Sequence, residues 1–174
     1  MNHSVDYKRL PPLLSGVCIC FTLIQSCSAP ASFTGMIPSS FETIRKHSKS
    51  VRVIVTGGQE SEAVGRPHIQ NDAFARALVE SIVRSQTFSK VVEDQSKGED
   101  YLLSVTVFSL DKRVFGRTVK LEIGWTLRRA DTQALTWQES ITSEYTDSNV
   151  QIATEGAARN NIVQALEKIS RLNL

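Results

Sequence analysis

Across its 174 residues the chain sets 20 Lys and Arg against 18 Asp and Glu, a formal net charge of +2. Nothing in that balance offers the basic stripe that neutralises phosphates, which argues against a nucleic-acid partner. All three cysteines, Cys18, Cys20 and Cys27, fall within the first 27 residues, so the remainder can build neither a disulfide framework nor a thiolate zinc site.

The first element is a leader. Lys8 and Arg9 form a short basic region, and an apolar run follows from Leu13 to Ile24. Such a run suits a signal peptide and is too short to span a bilayer, which needs about 20 apolar residues. The stretch Leu23-Ile24-Gln25-Ser26-Cys27 resembles the lipobox of bacterial lipoproteins, with Ile24 in the branched apolar place and Ser26 in the small one. Gln25 departs from the usual small or apolar residue. The resemblance implies a signal peptide over 1–26 and a lipid on Cys27. Acyl chains contribute about 0.8 kcal/mol per buried methylene, so a multiply acylated cysteine holds a small domain on a membrane. Ser28 is not the aspartate that retains such proteins in the inner membrane, so the outer membrane, periplasmic face, is expected. Two alternatives stay open: ordinary secretion with a cut after Ala29-Pro30-Ala31, and an uncleaved anchor.

Residues 27–50 read as a lipidated tether followed by a short helical turn, since Pro, Gly, Ser and Ala dominate 28–38 and Ser39 with Glu42 could form a capping box. A single domain is expected over 51–174. Val51, Val53 and Val55 alternate in a first strand that stops at Gly57-Gly58. After a polar loop, Asn71 or Asp72 should cap a helix whose face is Phe74, Leu78, Ile82 and Ser85. Phe88–Val92 is a short strand, and Glu93–Glu99 a charged turn. Tyr101–Leu110, apolar on nearly both sides, should be central. Val119, Leu121, Ile123, Trp125 and Leu127 alternate in a half-buried strand. A turn at Arg129–Gln133 returns the chain through Leu135, Trp137, Ile141 and Tyr145, with both tryptophans on one face. A last helix is expected from about Ile152 to Leu172, striped by Ala158, Ile162, Leu166, Ile169 and Leu172. This order predicts an α+β fold: a mostly antiparallel sheet of about five strands with two helices packed on one face.

Candidate chemistry is sparse. His47 and His68 are the histidines beyond the leader, and His68 reads as a solvated loop residue. Glu93-Asp94 with Glu99-Asp100 lacks the spacing of a calcium loop. Gly57-Gly58 lacks the residues of a phosphate loop, and no serine sits in a nucleophile elbow. The expectation is therefore a non-enzyme with no cofactor and no metal. Gly156 needs a reason, because glycine inside a helix costs about 1 kcal/mol against alanine. Close packing of Gly156-Ala157-Ala158 on the sheet, against Trp125 or Trp137, is one account. A partner-docking face of Glu155, Arg159 and Asn160 is the other.

Three tracts carry a wider resemblance: Asn71–Leu78, Gln86–Val92 with Asp100-Tyr101, and Ala153–Ile162 with the ending Ile169–Leu174. Together they resemble a group of uncharacterised bacterial envelope lipoproteins. More distantly, the layout is similar to penicillin-binding-protein activator lipoproteins, the curli-secretion pore subunit and auxiliary lipoproteins of lipid transporters. That likeness implies an interaction or assembly module of a larger envelope complex, with an envelope protein as partner and the membrane held through the acylated N-terminus. The alternative is an auxiliary protein that binds a lipid or peptidoglycan ligand between sheet and helices, in a groove that the apolar strand 101–110 could line, though a filled core accounts for that strand equally well.

Overall fold

The computed structural model describes residues 29–41, 43–58, 68–92, 98–112 and 117–174. The leader, Cys27, Glu42 and the Glu93-Asp94 pair lie outside them. Five strands form one sheet in the order β2-β1-β3-β4-β5: β1 His47–Thr56, β2 Phe88–Val91, β3 Tyr101–Lys112, β4 Thr118–Arg129 and β5 Leu135–Thr146. The chain is α+β, and β3 is the central strand as its two-sided apolar character predicts. The long β3–β4 and β4–β5 pairings are antiparallel, whereas β1 runs parallel to both β2 and β3.

Odd-numbered residues of β4, of β3 as far as Val107, and of β5 from Trp137 face the helices, and their alternation is what the strand period of two requires. Leu103, Val105, Leu121, Ile123, Trp125 and Leu127 are all buried there. Helix α2, Asn71–Ser85, covers β1 and β2, and helix α3, Val150–Ser170, covers β4 and β5. Both tryptophans lie on this face, Trp125 fully buried and Trp137 half-buried. The opposite face is open and rich in Ser and Thr. On it a bulge turns Phe108 out, and its ring lies across Gly124, where an added Cβ would stand 2.4 Å from the ring's Cζ.

Two expectations shift. Gln70, not Asn71 or Asp72, is the N-cap of α2, because the Asn71 carboxamide oxygen instead accepts from the Gly58 N–H at 2.9 Å. That bond closes the β1–α2 connection, and Gly57 beside it adopts φ +80°. The larger shift concerns residues 28–38. The helical turn, α1, falls at Phe33–Met36 rather than after Ser39, capped by Ser32. Met36 is fully buried, and Ala31 and Ile37 join it in the core. Composition suggested a free tether, yet these three apolar side chains fill the space between α2 and α3. The segment continues along the helix layer, where Thr43 donates to the Ser85 carbonyl and Ser170 accepts from the Ile44 N–H. Strand β1 then begins four residues earlier than the valine alternation indicates.

Candidate functional site

The polar residues of α3 fall into two sets. The first is buried and joins helix to sheet. Asn161, fully buried, accepts from the Trp125 Nε1–H at 2.9 Å and donates to the Ile141 carbonyl at 2.8 Å and to Ser143 Oγ at 3.1 Å. Ser143 donates onward to the Ala157 carbonyl at 2.8 Å. Every polar atom named here has a partner, as a buried network requires. The residue types gave one signal that went unread: an asparagine on the helix's buried stripe, and a tryptophan whose N–H needs an acceptor.

The second set contains the predicted docking residues, Glu155, Arg159 and Asn160. Glu155 Oε1 accepts from the Ser32 N–H at 2.9 Å, the Ser32 hydroxyl at 2.8 Å and Gln151 at 2.9 Å. Arg159 donates to the Gly35 carbonyl at 3.1 Å. Glu155 and Arg159 thus hold the chain's own N-terminal segment onto α3. Arg76 reinforces this from α2, its guanidinium 3.9 Å from the Phe33 ring centroid, a contact worth about 0.5–1 kcal/mol where exposed. Asn160 instead donates to the Glu144 carbonyl of β5 at 3.2 Å. Gly156 does permit close packing, though on another ring than either tryptophan: an added Cβ would lie 2.3 Å from Tyr145 Cγ.

His68 is not the solvated loop residue expected. It is 2 % exposed, and neither ring nitrogen has a hydrogen-bond partner among the described residues. Its neighbour Ile69 is buried, and the His68 carbonyl accepts from the Ala31 N–H at 3.3 Å, which ties this stretch to the N-terminal segment. His47 is buried too. Its Nε2 lies 3.0 Å from the Ile169 carbonyl, an acceptor, so that nitrogen carries the proton. Both histidines are thus buried, and among the described residues neither ring is hydrogen-bonded to a nucleophile's side chain.

At the end of the sheet where β1 and β3 begin, Lys49, Asp100, Arg129, Asp131 and Leu174 line a polar hollow. Charges of both signs interleave there and neutralise one another. Glu99 pairs with Arg52 at 2.9 Å, and Asp131 with Arg129 at 2.9 Å, which with the Thr132 N–H holds the Asp131 carboxyl down to about 2. Asp100 takes the Ser50 N–H and hydroxyl, both at 2.8 Å, and these bonds hold its carboxyl below the usual carboxylate range, with Lys49 adding to them. A depressed acid stabilises the fold above its unfolded pKa and ceases to do so as pH falls through the folded value. Asp100→Asn keeps an acceptor for Ser50 but removes the titration. Its urea midpoint should therefore drop less than wild type's between pH 7 and pH 3, below the ordinary carboxylate pKa of about 4. An unchanged drop would place the acid sensitivity elsewhere.

Among the described residues no group of His, Cys, Asp and Glu could hold a metal ion, and no helix is long and apolar enough to cross a membrane. A groove of about 480 Å³ lies beside α2, with Phe33, Val53, Val79 and Val91 as its apolar lining and Arg76 and Glu80 at its polar positions.

No family model matches the chain, and no curated protein matches it in sequence. Solved structures do share its architecture. A Xanthomonas campestris protein of family model DUF330 superposes with TM-score 0.54 at 13% identity, covering 76% of this chain and 90% of that one. The PelC L103M dodecamer from Paraburkholderia phytofirmans gives 0.55 at 12%, covering 74% and 90%. A hypothetical protein from Chlamydia trachomatis gives 0.54 at 7%, covering 74% and 99%. The likeness is one of fold. At these identities it extends to no activity and no ligand.

Proposed function

We propose that this chain is a lipid-anchored, non-catalytic assembly module of the bacterial cell envelope, held on the outer membrane's periplasmic face through acylated Cys27. One observation carries the reading: an apolar run of signal-peptide length ends at Leu23-Ile24-Gln25-Ser26-Cys27, four residues ahead of Ala31, which is buried in the core. A cut before Cys27 keeps every core residue among those described, the first of which is Ala31. The competing cut after Ala31 would remove that residue from the core, which disfavours ordinary secretion at that site. The assembly role draws support from the shared fold with PelC, which is described as a dodecamer.

Acylation is directly measurable. Cys27→Ala should give a product lacking the lipid mass, and it should leave the detergent phase for the aqueous phase in Triton X-114 partitioning. Globomycin should make the precursor accumulate. An unaltered mass and unaltered partitioning would overturn the reading. Crosslinking in intact membranes should then recover either a multimer of this chain or a constant envelope protein.

A second reading, an auxiliary that binds a lipid ligand, is favoured by the apolar groove beside Arg76, whose lining suits an acyl chain next to a cation. Native mass spectrometry of protein released gently from membranes should show a bound lipid that Val53→Glu abolishes.

A further inference from the structure

From the N-terminal segment's attachment to α3, and resting on acylation of Cys27, we infer that the domain sits on the membrane in one orientation. Its lipid-facing end is that where α2 and α3 begin. Three observations set this. Ala31 is buried and its N–H bonds the His68 carbonyl, three residues ahead of the α2 N-terminus. Ser32 is held by Glu155, in the second turn of α3, through both its N–H and its hydroxyl. Gly35 is held by Arg159 one turn further on.

The geometry follows from chain length. Four Cα steps separate Cys27 from Ala31, a reach of about 14 Å even when fully extended. Strands of 12 residues extend about 40 Å. The anchor can therefore bring one end of the sheet to the lipid and cannot bring the other. The near end carries the first turns of both helices, the close of β5 and the start of β4. Ile152, 44 % exposed on the first turn of α3, lies there beside Ser148. Lys112 and Arg117 are exposed at the same end, but Asp72 and Asp111 stand among them, so charge alone would hold it weakly. The short covalent leash does the orienting, and acyl chains supply the affinity. The far end holds the β4–β5 turn with Thr132 and the hollow lined by Lys49, Asp100 and Asp131, which faces away from the bilayer.

The Glu155 and Arg159 contacts act as a latch on this geometry. Releasing residues 31–37 would lengthen the leash by roughly 24 Å, enough for the domain to tumble.

The test uses the acylated, full-length product in vesicles of phosphatidylethanolamine and phosphatidylglycerol carrying an acceptor dye on the headgroups. The processed chain has no thiol besides Cys27, which the lipid occupies, so a single introduced cysteine takes the donor dye. Energy transfer should be strong from Ile152→Cys and from Ser148→Cys and weak from Thr132→Cys. In a Ser32→Ala, Glu155→Ala, Arg159→Ala background, with the fold intact by circular dichroism, the three efficiencies should converge. Equal transfer from both ends of the acylated, vesicle-bound protein overturns the orientation and leaves the anchor standing. A product of unacylated mass that fails to float with vesicles overturns the reading on which the orientation rests. Retained contrast in the triple variant shows the latch is not what sets it.

Discussion

Asn161→Leu is expected to lower stability by about 3 kcal/mol, the larger of two effects that α3 should report. Leucine has asparagine's branching and its number of side-chain heavy atoms, so the loss comes from polarity and not from a cavity. The Trp125 N–H, the Ile141 carbonyl and Ser143 Oγ would each lose a partner in a place water does not reach. A buried donor or acceptor left unpaired costs about 1–3 kcal/mol. Part of that total is offset by the apolar gain of the leucine, hence an expectation near 3 and not higher. Urea unfolding measures it, and a double-mutant cycle with Trp125→Phe should show a coupling of about 1–2 kcal/mol, because phenylalanine removes the orphaned donor. A cost below about 0.5 kcal/mol would mean that water reaches the network or that the helix shifts to satisfy it.

Gly156→Leu should be nearly as damaging, for a steric reason. Even a single Cβ would stand 2.3 Å from Tyr145 Cγ and 2.4 Å from Cδ1, the near edge of the ring. The ring cannot yield as a flexible tip would, so the helix must lift from β5. Overpacking of this kind costs about 1–3 kcal/mol, and a leucine should reach the top of that range. Gly156→Ala should also lose stability, although alanine gains about 1 kcal/mol in helix propensity. Combining either change with Tyr145→Ala should recover much of the loss. Thermal melts of wild type, the three single variants and the two double variants decide it: additive losses would show that the contact with Tyr145 is not the constraint.

The comparison of sequence with structure divides along the reach of the interactions. The β4 alternation from Val119 to Leu127 and the α2 face of Phe74, Leu78 and Ile82 were legible because a strand's or helix's period writes its buried face into neighbouring positions. Two helices over one sheet followed from the same patterns. The parallel placement of β1 between β2 and β3 did not, since a strand's period says which way side chains point and nothing about which strand lies alongside. The tether was misjudged for a related reason. Its Pro, Gly and Ser residues describe a segment that forms no regular element of its own, which is true of most of 29–46. They do not reveal that Glu155 holds Ser32 across 123 positions of chain. His68 belongs to the same group, being tied to Ala31 by a backbone bond that no local rule supplies. Glu155 and Arg159 were singled out for their chemistry, and the structure gives them an occupant within the chain itself.

The sheet's two margins are unequal, and that has a consequence for handling and for biology. On one side β2 is four residues long and carries Lys90; on the other β5 is twelve residues long and has a strand on one flank only. A strand with one flank unclaimed offers its spare backbone groups to any extended peptide that passes, and natural proteins usually blunt such a border with charge or brevity. Here only Glu139 and Glu144 interrupt the row, the first already neutralised by Lys168 at 2.6 Å. Concentrated preparations should therefore stick together first along this border, and Thr142→Lys, which sets a further charge in the middle of the row, should slow it.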